Sequence, residues 1–354
     1  MICGIPVRRE QDTAAGDDRR SALVLHMNAL GEALFALPLL HALKQASPPW
    51  RTVSVIRRGV ADLIRASGLA DEVLLRPESA GIGGAWRLIR AARAAHPSIC
   101  FALSTSRSNS LLAWLSGAPR RIGYRHADLS ALLETVPSEG GGVENYLSLL
   151  PVAGIGRTVD SYCGLLPVPA DARENAADLL REGGIEARAR FVAVAPASTG
   201  KLGHKAYPVE QWAAACRLMG ERGWPLALVG SAADAGLHQR LLSGAKGRAV
   251  SLAGKTSPLA LAGVLGRAAC VVGIDTGAIH LAAAVGTRCV ALFGSSDPMR
   301  TAPCGDGHVI LYQGLDCQPC LDRRCGNEGA CLRLIAPQEI VDAVAGVVSD
   351  GHES

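Results

Sequence analysis

The chain has 354 residues, a length that predicts two domains, because a single hydrophobic core rarely grows beyond roughly 250–300 residues. Hydrophobic residues make up 49% and charged residues 19% of the sequence, which excludes a disordered chain. The net charge of +4 is too small to predict nucleic-acid binding, and the apolar runs are too short for a transmembrane helix.

The first half of the chain alternates short apolar strands with helices. Strands are predicted over 21–26, 52–56, 72–75 and 98–103, and helices over 34–43, 85–95 and 109–115. Residues 1–20 lack the apolar core of a secretory signal, so they predict a flexible tail on a cytoplasmic protein. Gly and Pro become frequent at 151–169, which predicts the linker between two domains.

The second half repeats this alternation. Strands are predicted over 191–195, 226–229, 270–274 and 289–293, and helices over 209–221, 259–267, 278–285 and 337–348. Apolar strands that alternate with helices are typical of buried parallel sheets. The sequence therefore predicts two doubly wound α/β domains, 21–165 and 166–336, followed by a helix and tail at 337–354. Ligands of such domains bind beyond the carboxyl ends of the strands.

The segment Gly273–Leu281 follows a predicted strand and opens a predicted helix. Backbone N–H groups of Thr276 and Gly277 at the start of that helix are typical of a phosphate site. Asp275, just before them, is suited to accept hydrogen bonds from sugar hydroxyls. An ordinary helix N-cap, which needs no ligand, explains Asp or Thr at this place equally well.

A second loop, Pro196–Pro208, also leaves a strand and contains two of the five lysines of the chain. Lys205, near Ser198 and Thr199, is suited to hold a diphosphate, although the spacing of a Walker loop is absent. The alternative is a solvent-exposed loop without a ligand.

The loop between the first strand and the first helix contains one acidic residue, Glu32, directly after Gly31. A carboxylate in this loop is a candidate for acid–base chemistry on a ligand bound beyond the strand. A carboxylate in the first turn of a helix is also favourable with the helix dipole alone, so this second explanation stays open.

Six short motifs occur in the order and spacing of one enzyme family. They are Gly31-Glu32-x-Leu34 with Pro38, the loop with Lys205 and Pro208, Leu228–Ser231, Leu252–Ser257, Asp275–Leu281 and the cysteine-rich tail. Each motif is weak alone, but together they resemble the bacterial heptosyltransferases of glycosyltransferase family nine. The resemblance implies a GT-B fold, in which two Rossmann-like domains face a cleft, the first for the acceptor and the second for a nucleotide-sugar.

The resemblance also implies where an ADP-heptose donor binds. The expected donor contacts are Ser198, Thr199, Lys205, Thr276 and Gly277 at the diphosphate, Asp275 at the transferred sugar, Gly230 and Asp234 at the adenosine, and His280. Transfer in this family inverts the anomeric centre without a catalytic metal. Glu32 is expected to be the base, with His26 next in line. The family usually has Asp and a basic residue at these two positions, so the acceptor side departs from the pattern.

Arginines in the first half are expected to bind an anionic acceptor. Residues 1–170 carry 18 Lys and Arg against 14 Asp and Glu, whereas residues 171–354 carry 18 of each. Arg57 and Arg120, together with Gly31, are the candidate contacts to the Kdo or heptose acceptor of a lipopolysaccharide inner core.

Three further arginines, Arg87, Arg90 and Arg93, recur every three residues on one predicted helix. They are candidates for contact with the acceptor or with anionic lipid head groups, which predicts peripheral contact with the inner membrane surface. A solvated helix face is the alternative.

Five of the eleven cysteines lie between residues 304 and 331. Cys317, Cys320, Cys325 and Cys331 follow a C-x2-C-x4-C-x5-C spacing, and zinc and iron favour sites of four thiolates. A structural zinc or iron ion is therefore one hypothesis. Four reduced thiols in a folded loop are the other, because cytoplasmic cysteines are normally reduced.

The resulting hypothesis is an inverting glycosyltransferase that moves heptose from ADP-heptose to the lipopolysaccharide inner core and needs no cofactor for catalysis. One alternative is a transferase of the same fold that modifies a protein such as an autotransporter, or that uses another sugar nucleotide. The other is a catalytically silent nucleotide-sugar-binding relative, which Glu32 in place of Asp suggests.

Overall fold

The computed structural model describes residues 20–78, 81–138, 142–186, 188–196, 206–320 and 325–350. Three predicted donor contacts, Ser198, Thr199 and Lys205, lie outside these ranges, and so does the predicted tail up to residue 19. The strands are β1 (Ser21–Leu25), β2 (Arg51–Ile56), β3 (Glu72–Leu75), β4 (Pro97–Ala102), β5 (Arg120–Tyr124), β6 (Glu134–Val136), β7 (Val192–Ala195), β8 (Leu226–Leu228), β9 (Ala249–Ser251), β10 (Cys270–Ile274), β11 (Cys289–Phe293) and β12 (Val309–Tyr312).

The α-helices of the described ranges connect these strands. They are α1 (Leu30–Phe35), α2 (Leu37–Gln45), α3 (Arg58–Ala66), α4 (Ile82–Ala94), α5 (Arg107–Leu115), α6 (Gly142–Leu147), α7 (Ala170–Glu182), α8 (Val209–Glu221), α9 (Ala235–Gly244), α10 (Pro258–Leu265), α11 (Gly277–Ala284), α12 (Pro298–Thr301), α13 (Ala330–Arg333) and α14 (Pro337–Asp350). Within the same ranges, none of the helices combines the length and the apolar character needed to cross a bilayer.

The strands form two six-stranded sheets in which every neighbouring pair is parallel. The first sheet has the order β3-β2-β1-β4-β5-β6, and the second has the order β12-β11-β10-β7-β8-β9. Read from its other edge, the second sheet has the same arrangement as the first. In this arrangement the strand order reverses between the first and fourth strands, which is the usual ligand position of doubly wound domains. The prediction of a two-domain α/β fold is confirmed.

Helices cover both faces of each sheet. In the first sheet, Leu88 of α4 and Leu112 of α5 pack in one apolar cluster with strand residues such as Val53. Helices α1, α2 and α3 pack on the opposite face. The terminal helix α14 packs on the second sheet, where Val344 belongs to the same apolar cluster as Trp212 of α8. Each sheet is therefore buried between helices, as the apolar strands require.

The predicted helix over 34–43 is wrong in one respect, because the structure has two helices there. Helix α1 ends at Phe35, and α2 begins at Leu37 with Pro38 in its first turn. Proline has no N–H and fits the start of a helix better than its interior. Gly31 and Glu32, predicted in a loop, consequently lie in the first turn of the separate helix α1.

Packing of α8 depends on a glycine that has no room for a side chain. A Cβ built on Gly220 would lie 1.7 Å from the carbonyl oxygen of Lys246. We expect Gly220→Ala to lower the free energy of unfolding by about 1–3 kcal/mol, because the backbone at Lys246 must move. The control is Gly346→Ala at an exposed position of α14, where nothing lies within 4 Å of the added Cβ.

The control substitution should raise the free energy of unfolding by about 0.5–1 kcal/mol, since Ala favours a helix interior over Gly. Denaturant unfolding of both variants checks the pair. Equal stability of the two variants would contradict the packing described for Gly220.

Candidate active site between the two sheets

The candidate site lies where the carboxyl ends of the inner strands meet. His26 follows β1, Arg57 follows β2 and Arg76 follows β3, while Gly230 and Asp275 come shortly after β8 and β10. Parallel strands present their carboxyl ends at one edge of the sheet, so these residues of each sheet share an edge.

The two edges meet through helices α1 and α11. A Cβ built on Gly277, at the start of α11, would lie 2.9 Å from Leu30 Cδ2 and 3.5 Å from the backbone nitrogen of Gly31. A Cβ on Gly31 would lie 2.9 Å from Cδ2 of His280, which is one turn into α11. Glycine at both positions therefore permits this close contact, and a side chain at either position would push the two helices apart.

The Glu32 carboxylate lies beside this contact and is held by a tyrosine. The Tyr146 hydroxyl of α6 donates a hydrogen bond of 2.5 Å to Oε2 of Glu32. Burial, together with the adjacent carboxylate, raises the pKa of Tyr146, so the phenol keeps its proton at neutral pH. The arrangement leaves Oε1 of Glu32 for another partner. Sequence analysis named Glu32 but not Tyr146.

His280 is fixed by groups on three sides. Its Nδ1 lies 2.8 Å from the hydroxyl of Tyr162, and its Nε2 lies 3.4 Å from Oδ1 of Asp275. Phe35 of α1 packs edge-on against the imidazole, with ring centroids 4.7 Å apart. The Tyr162 hydroxyl accepts from the backbone N–H of Cys304 at 3.4 Å. A tyrosine that accepts there can donate to Nδ1, which leaves the imidazole N–H at Nε2, toward Asp275.

The amino end of α11 has the features of an anion site. Thr276 is the N-cap residue of α11, but its hydroxyl makes no capping hydrogen bond. That Oγ1 atom is buried and has no hydrogen-bond partner among the residues described. A buried hydroxyl without a partner normally costs free energy, so it is suited to be satisfied by a ligand. The alternative from sequence, an ordinary side-chain cap at Thr276, is not what the structure has.

Gly230 and Asp234, the predicted adenosine contacts, lie together after β8. Oδ2 of Asp234 accepts hydrogen bonds from the backbone N–H and the hydroxyl of Ser231, at 2.7 and 2.8 Å. A Cβ on Gly230 would lie 3.2 Å from Nε2 of His238, a buried atom with no partner in the part of the chain described. Asp234 therefore shapes this turn, and His238 is an additional polar group that sequence analysis missed.

His26 belongs to a buried polar network below the edge of the first sheet. Its Nε2 lies 3.0 Å from the hydroxyl of Ser54, while its Nδ1 has no partner within the described ranges. Arg76 donates to the side-chain oxygen of Asn109, and Asn109 donates to the carbonyl of Leu25 at 3.1 Å. Burial, and then the charge of Arg76, lowers the pKa of His26 to about 3. His26 is therefore a neutral side chain.

A cavity of about 760 Å³ opens beside this network. Three arginines line it, Arg58, Arg76 and Arg87, together with Glu78, which pairs with Arg58 at 3.4 Å. Burial and the charge of Arg57 lower the pKa of Arg76, and no described carboxylate lies within ion-pair distance of either. This edge of the first sheet is therefore positively charged and suited to an anion.

Arg120 lies elsewhere. It is the first residue of β5 and so stands at the amino edge of the first sheet, opposite Arg57 and Gly31. Its guanidinium donates to both carboxylate oxygens of Glu134, at 3.1 and 2.7 Å, and to the carbonyl of Val152. The structure does not bring Arg120 together with the other predicted acceptor contacts.

The four cysteines of the tail motif line one cavity of about 290 Å³ with Ser295 and Asn327 among its walls. The Cys325 sulfur accepts a backbone hydrogen bond from Gly329 at 3.1 Å. Burial raises the pKa of Cys331, which disfavours the thiolate that a metal needs. In the ranges described, no group of three or more His, Cys, Asp or Glu side chains is arranged to hold a metal ion.

Comparison with known proteins identifies the family. The sequence model of glycosyltransferase family 9 (heptosyltransferase) matches residues 85–331, which is more than half of the chain. The chain belongs to this family.

Relatives of known name agree with the family 9 match. Lipopolysaccharide heptosyltransferase 1 of Pseudomonas aeruginosa is 39% identical over 126 residues, which span 34% of this chain and 34% of that relative. A family 9 glycosyltransferase from Veillonella parvula superimposes with a TM-score of 0.82 at 18% identity, covering 94% of this chain and 98% of that one. The ADP-heptose lipopolysaccharide heptosyltransferase II of E. coli superimposes with a TM-score of 0.76 at 19% identity, covering 94% of this chain and 99% of that one. At these identities the two structures show the fold alone.

The neutral state of His26 predicts how the stability of this family 9 protein depends on pH. The unfolded chain binds a proton at His26 near pH 6.5, whereas the folded chain does so only near pH 3. The contribution of the neutral imidazole to the free energy of unfolding is therefore complete above pH 6.5. It is lost as the pH falls towards 3, by about 1.4 kcal/mol per pH unit within that window.

Denaturant unfolding between about pH 7 and pH 5 measures this slope. We expect His26→Gln to reduce the slope, while His126→Gln, which removes an exposed imidazole, leaves it near the wild-type value. Identical slopes for wild type and His26→Gln would show that His26 is not a buried neutral group.

Proposed function

We propose that this protein is an inverting heptosyltransferase that transfers heptose from ADP-heptose to the inner core of lipopolysaccharide. The observation that carries the proposal is the contact of α1 with α11, because Glu32 directly follows Gly31 on α1 and Thr276 directly precedes Gly277 on α11. Two relatives are named lipopolysaccharide heptosyltransferase 1 and ADP-heptose lipopolysaccharide heptosyltransferase II. These names support ADP-heptose as the donor and lipopolysaccharide as the acceptor. No described feature favours a protein acceptor, another sugar nucleotide or a silent site.

The donor is proposed to bind with its diphosphate at the amino end of α11. The positive end of the helix dipole and the Thr276 hydroxyl, which has no partner among the described residues, are suited to phosphate oxygens there. Lys205, Ser198 and Thr199, which lie outside the described ranges, are proposed to contact the same diphosphate. Asp275, oriented through His280, is proposed to accept hydrogen bonds from the transferred sugar.

The reaction is a displacement at the anomeric carbon. The oxygen of the acceptor hydroxyl forms the new bond while its proton passes to Glu32, and the bond from the anomeric carbon to the ADP oxygen breaks. ADP leaves with the electron pair, and the amino end of α11 stabilises the negative charge that develops on the diphosphate. Tyr146 occupies one carboxylate oxygen of Glu32 and orients the other toward the acceptor.

Incubation of the purified protein with ADP-heptose and a Kdo-lipid acceptor tests the activity. We expect release of ADP in equal amount to a heptosylated acceptor whose anomeric configuration is inverted. Binding of ADP-heptose without transfer would contradict the proposal and favour the silent relative.

The role of Glu32 predicts a loss confined to the chemical step. We expect Glu32→Gln to lower turnover by roughly 10²–10⁴-fold, because the amide keeps the shape and loses the base. Donor affinity, measured by calorimetry with ADP, should stay near the wild-type value. Glu32→Asp retains a carboxylate and serves as the control for its position. Wild-type turnover in Glu32→Gln would assign the carboxylate to the helix dipole alone.

The acceptor is proposed to bind at the positive edge of the first sheet. Arg57 and Arg76 stand there without carboxylate partners in the described ranges, and the adjacent cavity has room for sugar residues. Kdo carboxylates or core phosphates carry the complementary charge. His26 is proposed to shape this edge as a neutral group, which makes it a weak base beside Glu32.

Two arginine variants test the position of the acceptor. We expect Arg57→Gln to raise the KM for the acceptor by about tenfold or more, because the variant loses a charge-assisted hydrogen bond to the acceptor. Arg120→Gln should change that KM less, because its guanidinium is already bound to Glu134. Steady-state kinetics with varied acceptor gives both values. A larger effect at Arg120 than at Arg57 would move the acceptor to the opposite edge of the sheet.

A lipopolysaccharide precursor is anchored in a bilayer, so the proposal includes work at the cytoplasmic face of the inner membrane. The protein would reach its acceptor from the cytoplasm by peripheral contact. This part of the proposal rests on the acceptor and on the basic first half of the chain.

Among the described residues no cluster is arranged to hold a metal ion, and the zinc or iron ion predicted at Cys317, Cys320, Cys325 and Cys331 stays a hypothesis. We propose that these cysteines stay reduced thiols around their shared cavity and take no part in transfer. Elemental analysis of protein purified without a metal-affinity column should find no stoichiometric metal. One zinc or iron ion per chain would refute this proposal.

A further inference from the structure

Exposed apolar side chains are concentrated on two neighbouring helices of the first domain. Among the large apolar side chains that the structure describes, seven are exposed, and four of them lie on α4 and α5. These four are Ile82 at 78%, Trp86 at 58%, Leu111 at 40% and Trp114 at 50% exposure. Scattered single residues of this kind need no explanation, but a group on adjacent helices indicates a binding surface.

The helical spacing turns these side chains outward together. Leu88 and Ala92 of α4, and Leu112 and Ala113 of α5, pack in one cluster against the same face of the first sheet. The outer stripes opposite them consist of Ile82, Trp86, Arg90 and Arg93 on α4 and of Arg107, Leu111 and Trp114 on α5. Arg93 also donates to the carbonyl of Leu115, which joins the two helices at 2.7 Å. We call these two stripes the α4–α5 face.

The charge of this face is of one sign. Helices α4 and α5 carry four arginines and no Asp or Glu between them. A twofold contact with a second copy of the chain would set arginine against arginine, which is unfavourable. An anionic lipid surface, by contrast, supplies the complementary charge, and each arginine near such a surface adds to binding.

The apolar members suit the same surface. Tryptophan is enriched at the boundary between lipid head groups and acyl chains, where its ring is partly buried. Two exposed tryptophans flanked by arginines therefore have the composition of an interfacial membrane surface. The inner side of α4, through Gly84 and Arg87, lines the cavity next to the proposed acceptor edge. The α4–α5 face and that cavity are thus two sides of one helix.

We propose that the α4–α5 face docks on an anionic membrane surface and so holds the acceptor cavity at the level of the lipid head groups. The link to a lipid-anchored acceptor rests on the proposed function. The docking itself does not, because it needs neither donor nor acceptor.

Co-sedimentation with vesicles tests the docking. The wild-type protein should bind vesicles of phosphatidylcholine mixed with phosphatidylglycerol, and should bind pure phosphatidylcholine much less. We expect the double variant Trp86→Ser/Trp114→Ser, and separately Arg90→Glu/Arg93→Glu, to lower the partition onto anionic vesicles by about tenfold or more. The matched controls, Leu334→Ser and Arg188→Glu, alter exposed residues of the second domain and should bind like wild type.

The outcomes separate this inference from the proposed function. Failure of the wild type to bind anionic vesicles, or wild-type binding by both double variants, would overturn the docking. A wild-type dimer that becomes monomeric in the tryptophan variant, by light scattering, would instead identify the face as a contact between copies. Heptose transfer to a delipidated core oligosaccharide tests the function alone, and the tryptophan variant should keep the wild-type rate there.

Discussion

The site depends on the close approach of α1 to α11. At this point two glycines, Gly31 and Gly277, remove the side chains that would separate the first domain from the second. His280 fills the space under Gly31 and is held in place by Tyr162 and Phe35. The contact joins the first turn of α1, which contains Glu32, to the first turn of α11, which follows Thr276. Catalysis by proximity and orientation requires that the two domains are held in a fixed arrangement, since small displacements of the reacting groups lower the rate by large factors.

Charge is divided between the two sides of the cleft in a way that matches the proposed substrates. The second domain provides a helix dipole and the Thr276 hydroxyl, which lacks a partner in the part of the chain described, and both suit a diphosphate. The first domain provides Arg57 and Arg76 at its carboxyl edge, with the buried His26 kept neutral beneath them. Two neighbouring arginines without an ion-pair partner among the described residues cost stability at this edge, because like charges repel. Such an arrangement is expected where an anionic ligand supplies the missing charge.

Local sequence patterns were sufficient for the fold class, while the donor contacts stay predictions. The apolar runs of β1, β4, β7 and β10 are the buried central strands, and their loops carry Asp275 and Thr276 to the switch point. The acceptor side was harder, because its contacts join distant parts of the chain. Tyr146 is 114 residues from Glu32, a separation at which periodicity carries no information. The sequence analysis predicted Arg120 as an acceptor contact but did not predict the strand β5. Arg120 is the first residue of that strand and therefore lies at the amino edge of the sheet.

The most direct test of this account is the transfer rate of Gly31→Ala measured beside its affinity for ADP. The added Cβ would meet the ring of His280, which Tyr162, Phe35 and Asp275 hold on three sides, so α1 and α11 must move apart. The account predicts a transfer rate lower by roughly 10²-fold, with ADP affinity close to wild type. A Gly31→Ala variant that transfers heptose at the wild-type rate would contradict the claim that this contact sets the geometry of the reaction.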